Sequence, residues 1–146
     1  MPERTGRAAR VLIAEDDDSL RRLLELRLQA DGFETESAAD GIEAMTVVDR
    51  WVPDVVVCDV MMPRMSGLSV CRELRERDST AEVPIILLTA RCFDEDIQQV
   101  MGLGGIEYIG KPFDFMHLIA TLRAMLGEVP SSEPRRIDLT LEGTRR

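Results

Sequence analysis

Three places in this 146-residue chain gather groups suited to a phosphoryl group and a divalent cation. Asp59 closes the apolar run Val55-Val56-Val57-Cys58. Glu15-Asp16-Asp17-Asp18 follows a second run, Val11-Leu12-Ile13-Ala14, and Lys111-Pro112 follows a third, Tyr108-Ile109-Gly110. A lone carboxylate at the C-terminal tip of a buried strand stands where open α/β sheets keep their chemistry. Phosphoryl transfer to a carboxylate needs a nucleophilic oxygen held in line, a cation to offset charge, and donors for the remaining oxygens. Asp59 suits the first role. Asp16, helped by Glu15, suits Mg²⁺ (or Mn²⁺), which prefers oxygen ligands. Lys111 offers three donors on a mobile stem. Thr89, directly after Ile85-Ile86-Leu87-Leu88, would bring a hydroxyl to the same edge, and small Ala90 beside it would let its backbone N–H approach an oxyanion.

Each piece has a plain structural reading as well. An acidic run before a helix often only caps it and offsets its dipole. Asp59 could be a solvated turn residue, Thr89-Ala90 says little alone, and Lys111 could be a surface lysine beside a helix-starting proline. The conjunction decides it: four strand ends each deliver a residue type that one reaction needs.

Those residues meet only if the apolar runs are parallel strands. Val11 to Ala14 is read as the first. Asp18 or Ser19 caps the next helix, with Leu20, Leu23, Leu24 and Leu28 as its apolar stripe. Asp31-Gly32 stops it, Gly32 suiting the left-handed position. Phe33 to Ser37 is the second strand, and Asp40 with Glu43 three residues on resembles a capping box for a second helix carrying Ile42, Met45 and Val48. Val55 to Cys58 is the third strand, and a helix spans about Ser66 to Arg77. Ile85 to Leu88 is the fourth strand, and a helix from Asp94 to Leu103 stops at Gly104-Gly105. Glu107 to Ile109 is the fifth strand, and Asp114 to Leu126 the last helix. Unbroken apolar strands alternating with amphipathic helices mean a parallel sheet covered on both faces, an α/β doubly wound fold.

The length suits one domain, read as residues 10–127, with 1–9 a polar, basic, disordered arm. Glu128 to Arg136 reads as linker, and Ile137, Leu139 and Leu141 alternate enough for one marginal strand; 128–146 are therefore expected to be linker or disordered tail. Hydrophobic residues at 45% and charged residues at 31% are an ordinary globular balance. A net charge of −9 argues against nucleic-acid binding by this chain. No apolar stretch approaches the roughly 20 residues of a membrane span, and the N-terminus has no signal-peptide core, so a cytoplasmic protein is expected. Cys58, Cys71 and Cys92 lack metal-type spacing and read as reduced, mostly buried hydrophobes.

Over about Arg10 to Leu126 the chain resembles a response-regulator receiver domain, the phosphoacceptor half of bacterial two-component signalling. The matching stretches are Val-Leu-Ile-Ala-Glu-Asp-Asp, Asp-Val-Val-Val-Cys-Asp-Val-Met-Met-Pro-Arg-Met-Ser-Gly, Ile-Ile-Leu-Leu-Thr-Ala and Tyr-Ile-Gly-Lys-Pro-Phe. The resemblance implies a flavodoxin-like sheet of five strands in order 2-1-3-4-5 with five helices. It implies that Asp59 accepts the phosphoryl group from a histidine kinase or histidine phosphotransfer protein, in a signalling domain and not an enzyme. By the same likeness Asp16 is a direct metal ligand, Glu15 acts indirectly, and Met61 lends its backbone carbonyl. Thr89 and Lys111 contact the phosphoryl oxygens, Tyr108 turns with Thr89 as a switch, and Lys111–Pro112 is a cis peptide. An effector is expected on the face of the fourth helix, fifth strand and fifth helix. Asp17 is assigned to the helix start and not to the metal.

Some positions depart from the family pattern. Ile106, His117 and Thr121 stand where many DNA-binding regulators carry the charges of their dimer, so at most a weak homodimer is expected, although Arg123 remains. His117 is read as a helix-surface residue, and Gly110 is smaller than the usual β-branched residue. Two rival readings make demands that the sequence does not meet. A phosphorylation-independent pseudo-receiver should lack one of Asp16, Asp59, Thr89 or Lys111, and none is missing. A haloacid-dehalogenase-type phosphatase would want an aspartate where Met61 stands.

Overall fold

The computed structural model describes residues 7–91 and 94–127. Along the chain run β1 (Arg10–Ala14), α1 (Asp18–Ala30), β2 (Glu34–Ala38), α2 (Gly41–Arg50), β3 (Val55–Asp59), α3 (Gly67–Glu76), β4 (Ile85–Thr89), α4 (Glu95–Met101), β5 (Ile106–Gly110) and α5 (Phe115–Met125). The five strands form one parallel sheet in the order β2-β1-β3-β4-β5. This is the flavodoxin-like α/β arrangement expected.

Parallel strands at the sheet centre must be apolar on both faces, and β1, β3 and β4 are. Their side chains alternate between two cores. Leu12, Ala14, Val56, Cys58, Ile85 and Leu87 pack with α2, α3 and α4 residues such as Val48, Leu74 and Ile97. Val11, Ile13, Val55, Val57, Ile86 and Leu88 pack with Leu24, Leu28, Leu118 and Leu122 of α1 and α5. Each fully buried Leu, Ile or Val contributes about 1.5–3 kcal/mol over leaving it in water.

Several details differ from the sequence reading. Asp17, not Asp18 or Ser19, caps α1, its Oδ1 accepting the Leu20 N–H at 2.9 Å. Leu23 and Ile42 are 45% and 47% exposed, so the buried stripes are Leu24 and Leu28 on α1 and Ala44, Met45, Val47 and Val48 on α2. The Asp40–Glu43 box forms in part, with Asp40 accepting the Glu43 N–H while Glu43 reaches the Ala39 N–H at 2.6 Å instead of that of Asp40. Strand β2 begins at Glu34, one residue after buried Phe33.

Helix α4 ends at Met101, and tight turns carry the chain to Gly104 and Gly105, with φ +90° and +71°. Arg75 of α3 then holds that corner, donating to the carbonyls of Gly104, Gly105 and Thr80 at 3.0–3.3 Å. At the start of the chain Ala9 is 6% exposed and its carbonyl accepts from Glu34, while Arg7 pairs with Asp54 at 3.1 Å. Residues 7–9 of the expected arm are thus part of the fold; 1–6, Cys92 and the whole of 128–146 lie outside the described residues. Among the described residues no helix is long and apolar enough to cross a membrane.

Helices return the chain to the opposite end of the sheet from the strand tips. There the last turn of α5, with Met125 and Leu126, meets Val52-Pro53-Asp54 and Val83-Pro84 around a cavity of about 480 Å³.

Candidate functional site

The strand register decides which residues meet. Ala14 pairs with Cys58, Asp59 with Leu88, and Thr89 with Gly110, so β1, β3, β4 and β5 end at one level. Glu15 leaves β1 with its N–H on the Ala38 carbonyl at 3.0 Å, and Lys111 leaves β5 with its N–H on the Thr89 carbonyl at 2.7 Å. Asp59, last residue of β3, is 5% exposed and Glu15 only 1%.

The ligand oxygens of Glu15, Asp16 and Asp59 lie within 4.8 Å of one another. The Lys111 Nζ stands among them, 3.2 Å from Asp59 Oδ2 and 3.3 Å from Glu15 Oε1. The Asp17 N–H donates to the other Glu15 oxygen at 3.1 Å. On the far side of Asp59, the Met61 N–H donates to Oδ1 at 3.3 Å, with Met61 itself 62% exposed. Three carboxylates against one ammonium leave surplus negative charge in a partly dry place. Burial first, then Asp59, pushes the Glu15 carboxyl up to about 7, against the ordinary 4.5. Burial pulls Lys111 down, but the Asp59 and Glu15 carboxylates outweigh it and raise the ammonium above its usual value. An all-oxygen donor set with excess negative charge fits a hard divalent cation such as Mg²⁺ or Mn²⁺.

Thr89 is 2% exposed, and its Oγ1 accepts the Arg91 N–H at 2.9 Å. Tyr108 is half-buried against the core on the α2–α3–α4 side. Leu87 and Tyr108 are register partners, so Thr89, two residues on from Leu87, shares their face. The Lys111–Pro112 peptide is cis. Asp16, Asp59, Lys111 and Glu15 are therefore brought into one cluster, Thr89 and Met61 border it, and Tyr108 lies one step behind. Exposed His117 stands apart on α5. Cys58 and Cys71 are buried free thiols; burial raises both, Cys71 to about 12.

Two groups near the site were not singled out by sequence reasoning for any role here. Arg64 bonds Asp40, 24 residues away, and Gly67 packs against the Asp59 backbone. No spacing rule joins such positions; the family-like stretch Met-Met-Pro-Arg-Met-Ser-Gly contains both residues without indicating what either touches.

Residues 11–123 match the family "Response regulator receiver domain". The chain belongs to that family: it is a receiver domain of two-component response regulators. It is 41% identical over 141 residues to the response regulator MprA of Mycobacterium sp. (strain KMS), covering 91% of this chain and 60% of the relative. The MprA of Mycobacterium leprae (strain TN) is 44% identical over 119 residues, covering 80% of this chain and 50% of that protein. The chain thus spans about half to three-fifths of the length of these curated relatives. Among solved structures, the chemotaxis protein CheY4 of Vibrio cholerae superposes with TM-score 0.75 at 32% identity, covering 81% of this chain and 98% of that one. The receiver domain of sensor histidine kinase PA1611 from Pseudomonas aeruginosa PAO1, solved with a magnesium ion coordinated in its active-site cleft, gives TM-score 0.75 at 30% identity. It covers 83% of this chain and 99% of that one.

Proposed function

We propose that Asp59 is the phosphoacceptor of a Mg²⁺-dependent switch. The observation that carries this is the Lys111 Nζ held between Asp59 and Glu15, beside Asp16, at the level where four strands end. A phosphohistidine on a histidine kinase or phosphotransfer protein is the natural donor. An Asp59 carboxylate oxygen attacks phosphorus, the P–N bond breaks, and its electron pair leaves with the imidazole. Lys111 and Thr89 are placed to donate to the phosphoryl oxygens as charge shifts onto them. When bound, Mg²⁺ supplies charge neutralisation; Asp16, Asp59 and the Met61 carbonyl are the groups that would hold it, with Glu15 acting indirectly. Met61 stands two residues after Asp59, where a haloacid-dehalogenase-type phosphatase would want an aspartate, which argues against that reading.

The output reading follows from Thr89 and Tyr108. A phosphoryl group on Asp59 would offer Thr89 a charge-assisted hydrogen bond, and a contact that differs between two states is what shifts a population. Their common face on β4 and β5 leads to the α4–β5–α5 surface, where an effector would bind. The net charge of −9 favours a protein effector over direct nucleic-acid contact by this chain. Intact-mass measurement after treatment with acetyl phosphate and Mg²⁺ is expected to show one added phosphoryl group, lost in Asp59→Asn. Labelling that persists in Asp59→Asn would overturn the assignment.

A further inference from the structure

The β3–α3 loop carries the residues that follow Asp59, and its course is strained at one point. Arg64 has φ +67°, the one non-glycine residue with positive φ among the described residues. Across it the Met65 N–H donates to the Pro63 carbonyl at 2.7 Å. A three-residue turn with positive φ at its centre is the rare, strained kind. An L-residue stays there only where its surroundings hold it.

Those surroundings belong to the start of α2. Arg64 puts Nε 3.1 Å and a terminal nitrogen 2.7 Å from Asp40 Oδ2. Asp40 is itself immobilised: it is 8% exposed, and its other oxygen caps α2 through the Glu43 N–H at 2.9 Å. Beside it the Gly41 N–H donates to the Met65 carbonyl at 3.2 Å, and a Cβ on Gly41 would come 2.7 Å from that of Met65. The Arg64 side chain is 63% exposed, so plain Coulomb attraction across water gives this pair little. Two donors on one fixed oxygen give direction instead.

We propose that the Arg64–Asp40 pair is a latch that holds the strained turn and so sets the position of Met61 beside Asp59. Both become positioning residues for the cation, an inference that rests on the reading of Asp59 and Mg²⁺ above. Only Met62 and Pro63 separate Met61 from Arg64, and proline fixes its own φ. A turn that relaxes therefore moves the Met61 N–H and carbonyl relative to Asp59.

The test uses the whole chain without any phosphoryl donor. Mg²⁺ affinity is titrated by calorimetry, and backbone amide exchange of residues 61–66 is followed in the metal-free protein. Arg64→Ala should weaken Mg²⁺ on the order of tenfold, as loss of groups supporting a ligand does, and speed exchange at Met61. Asp40→Asn keeps a good helix cap and should act in the same direction. The double variant should be no worse than Arg64→Ala, because both remove one interaction. Arg64→Gly should recover most of the affinity, since glycine takes positive φ without strain. Unchanged or tighter Mg²⁺ binding in Arg64→Ala would overturn the latch, tighter binding being the mark of a merely repelling charge. Arg64→Gly as weak as Arg64→Ala would overturn it too. If the wild-type chain bound no Mg²⁺, the phosphoacceptor reading itself would fail, while amide exchange would still report on the turn.

Discussion

The backbone of Gly67 packs directly on that of Asp59. A Cβ at Gly67 would fall deep inside the contact distance of the Asp59 carbonyl oxygen and 3.0 Å from Val60 Cα. The Gly67 N–H donates to the Val60 carbonyl at 2.9 Å, so the start of α3 is drawn onto the tip of β3 with no room for a methyl group. Both neighbours are backbone, one the last residue of a central strand and the other the residue after it, and cannot step aside. Gly67→Ala is expected to destabilise the domain by about 2–3 kcal/mol, the cost of overpacking. Chemical denaturation reads this directly; an unchanged midpoint would mean that α3 slides freely away from β3.

Stability should fall with rising pH in the metal-free protein. The Glu15 carboxyl binds its proton more tightly folded, at about 7, than at the ordinary 4.5. Between those values the native state holds more protons than the unfolded one. The contribution is therefore complete below the lower value and lost as pH rises through the upper. At 1.36 kcal/mol per pKa unit the loss is on the order of 3 kcal/mol. Asp40 and Asp94 shift downward, so their contributions change in more acid solution, and Lys111 shifts upward, so its changes in more alkaline solution. Denaturation midpoints in EDTA at pH 5 and pH 8 should thus differ for the wild type and converge for Glu15→Gln. A slope that survives in Glu15→Gln would assign it elsewhere.

Neighbouring aspartates should separate by phenotype. Asp17 accepts the Leu20 N–H as the cap of α1. Asp17→Ala is expected to cost about 1 kcal/mol of stability, the usual worth of such a cap, and to leave Mg²⁺ affinity nearly intact. Asp16 belongs to the carboxylate cluster. Asp16→Ala should lose most Mg²⁺ affinity and leave the metal-free protein as stable or more so, because a like charge is gone. Calorimetric titration beside thermal melts distinguishes them, and equal losses of affinity would remove Asp16 from the ligand set.

Arg123 was the one charge left from the dimer pattern of DNA-binding relatives. It is engaged within the chain: its guanidinium donates to the Asp31 carbonyl at 2.9 Å, pairs with Asp31 Oδ2 at 3.4 Å and lies 4.9 Å over the Phe33 ring. Ile106 is 6% exposed. With Arg123 engaged within the chain and Ile106 buried and uncharged, sedimentation with beryllofluoride should show at most a weak dimer through the α4–β5–α5 face. A tight dimer formed through this face only on activation would show that other contacts suffice.

Strands β1, β3 and β4 were legible because burial on both faces leaves an unbroken apolar run, and the residue after such a run is forced to the sheet edge. Asp59, Glu15, Asp16 and Thr89 could be placed at that edge for this reason, whereas Lys111 follows β5, which is only partly buried. Leu23 and Ile42 belong to the apolar stripes yet stay 45% and 47% exposed, because helical periodicity marks a stripe but not how much of it is covered. Asp17 rather than Asp18 as cap is a choice among three successive aspartates that composition does not rank. Arg64 and Gly67 escaped because their roles depend on approach between segments: one on a turn whose φ no motif announces, the other on the separation of two backbones.

The cavity around Met125, Leu126, Val52 and Pro84 marks where the chain leaves α5, and that is the sheet's other rim. A five-residue strand is about 17 Å long, so anything tethered beyond Gly127 starts a full domain's thickness from the carboxylates. Direct touch is out of reach for it at the point of attachment. On the reading of Asp59 proposed above, a change there would reach that rim only across the body of the protein, along β3 and β4, or through a partner that spans both rims.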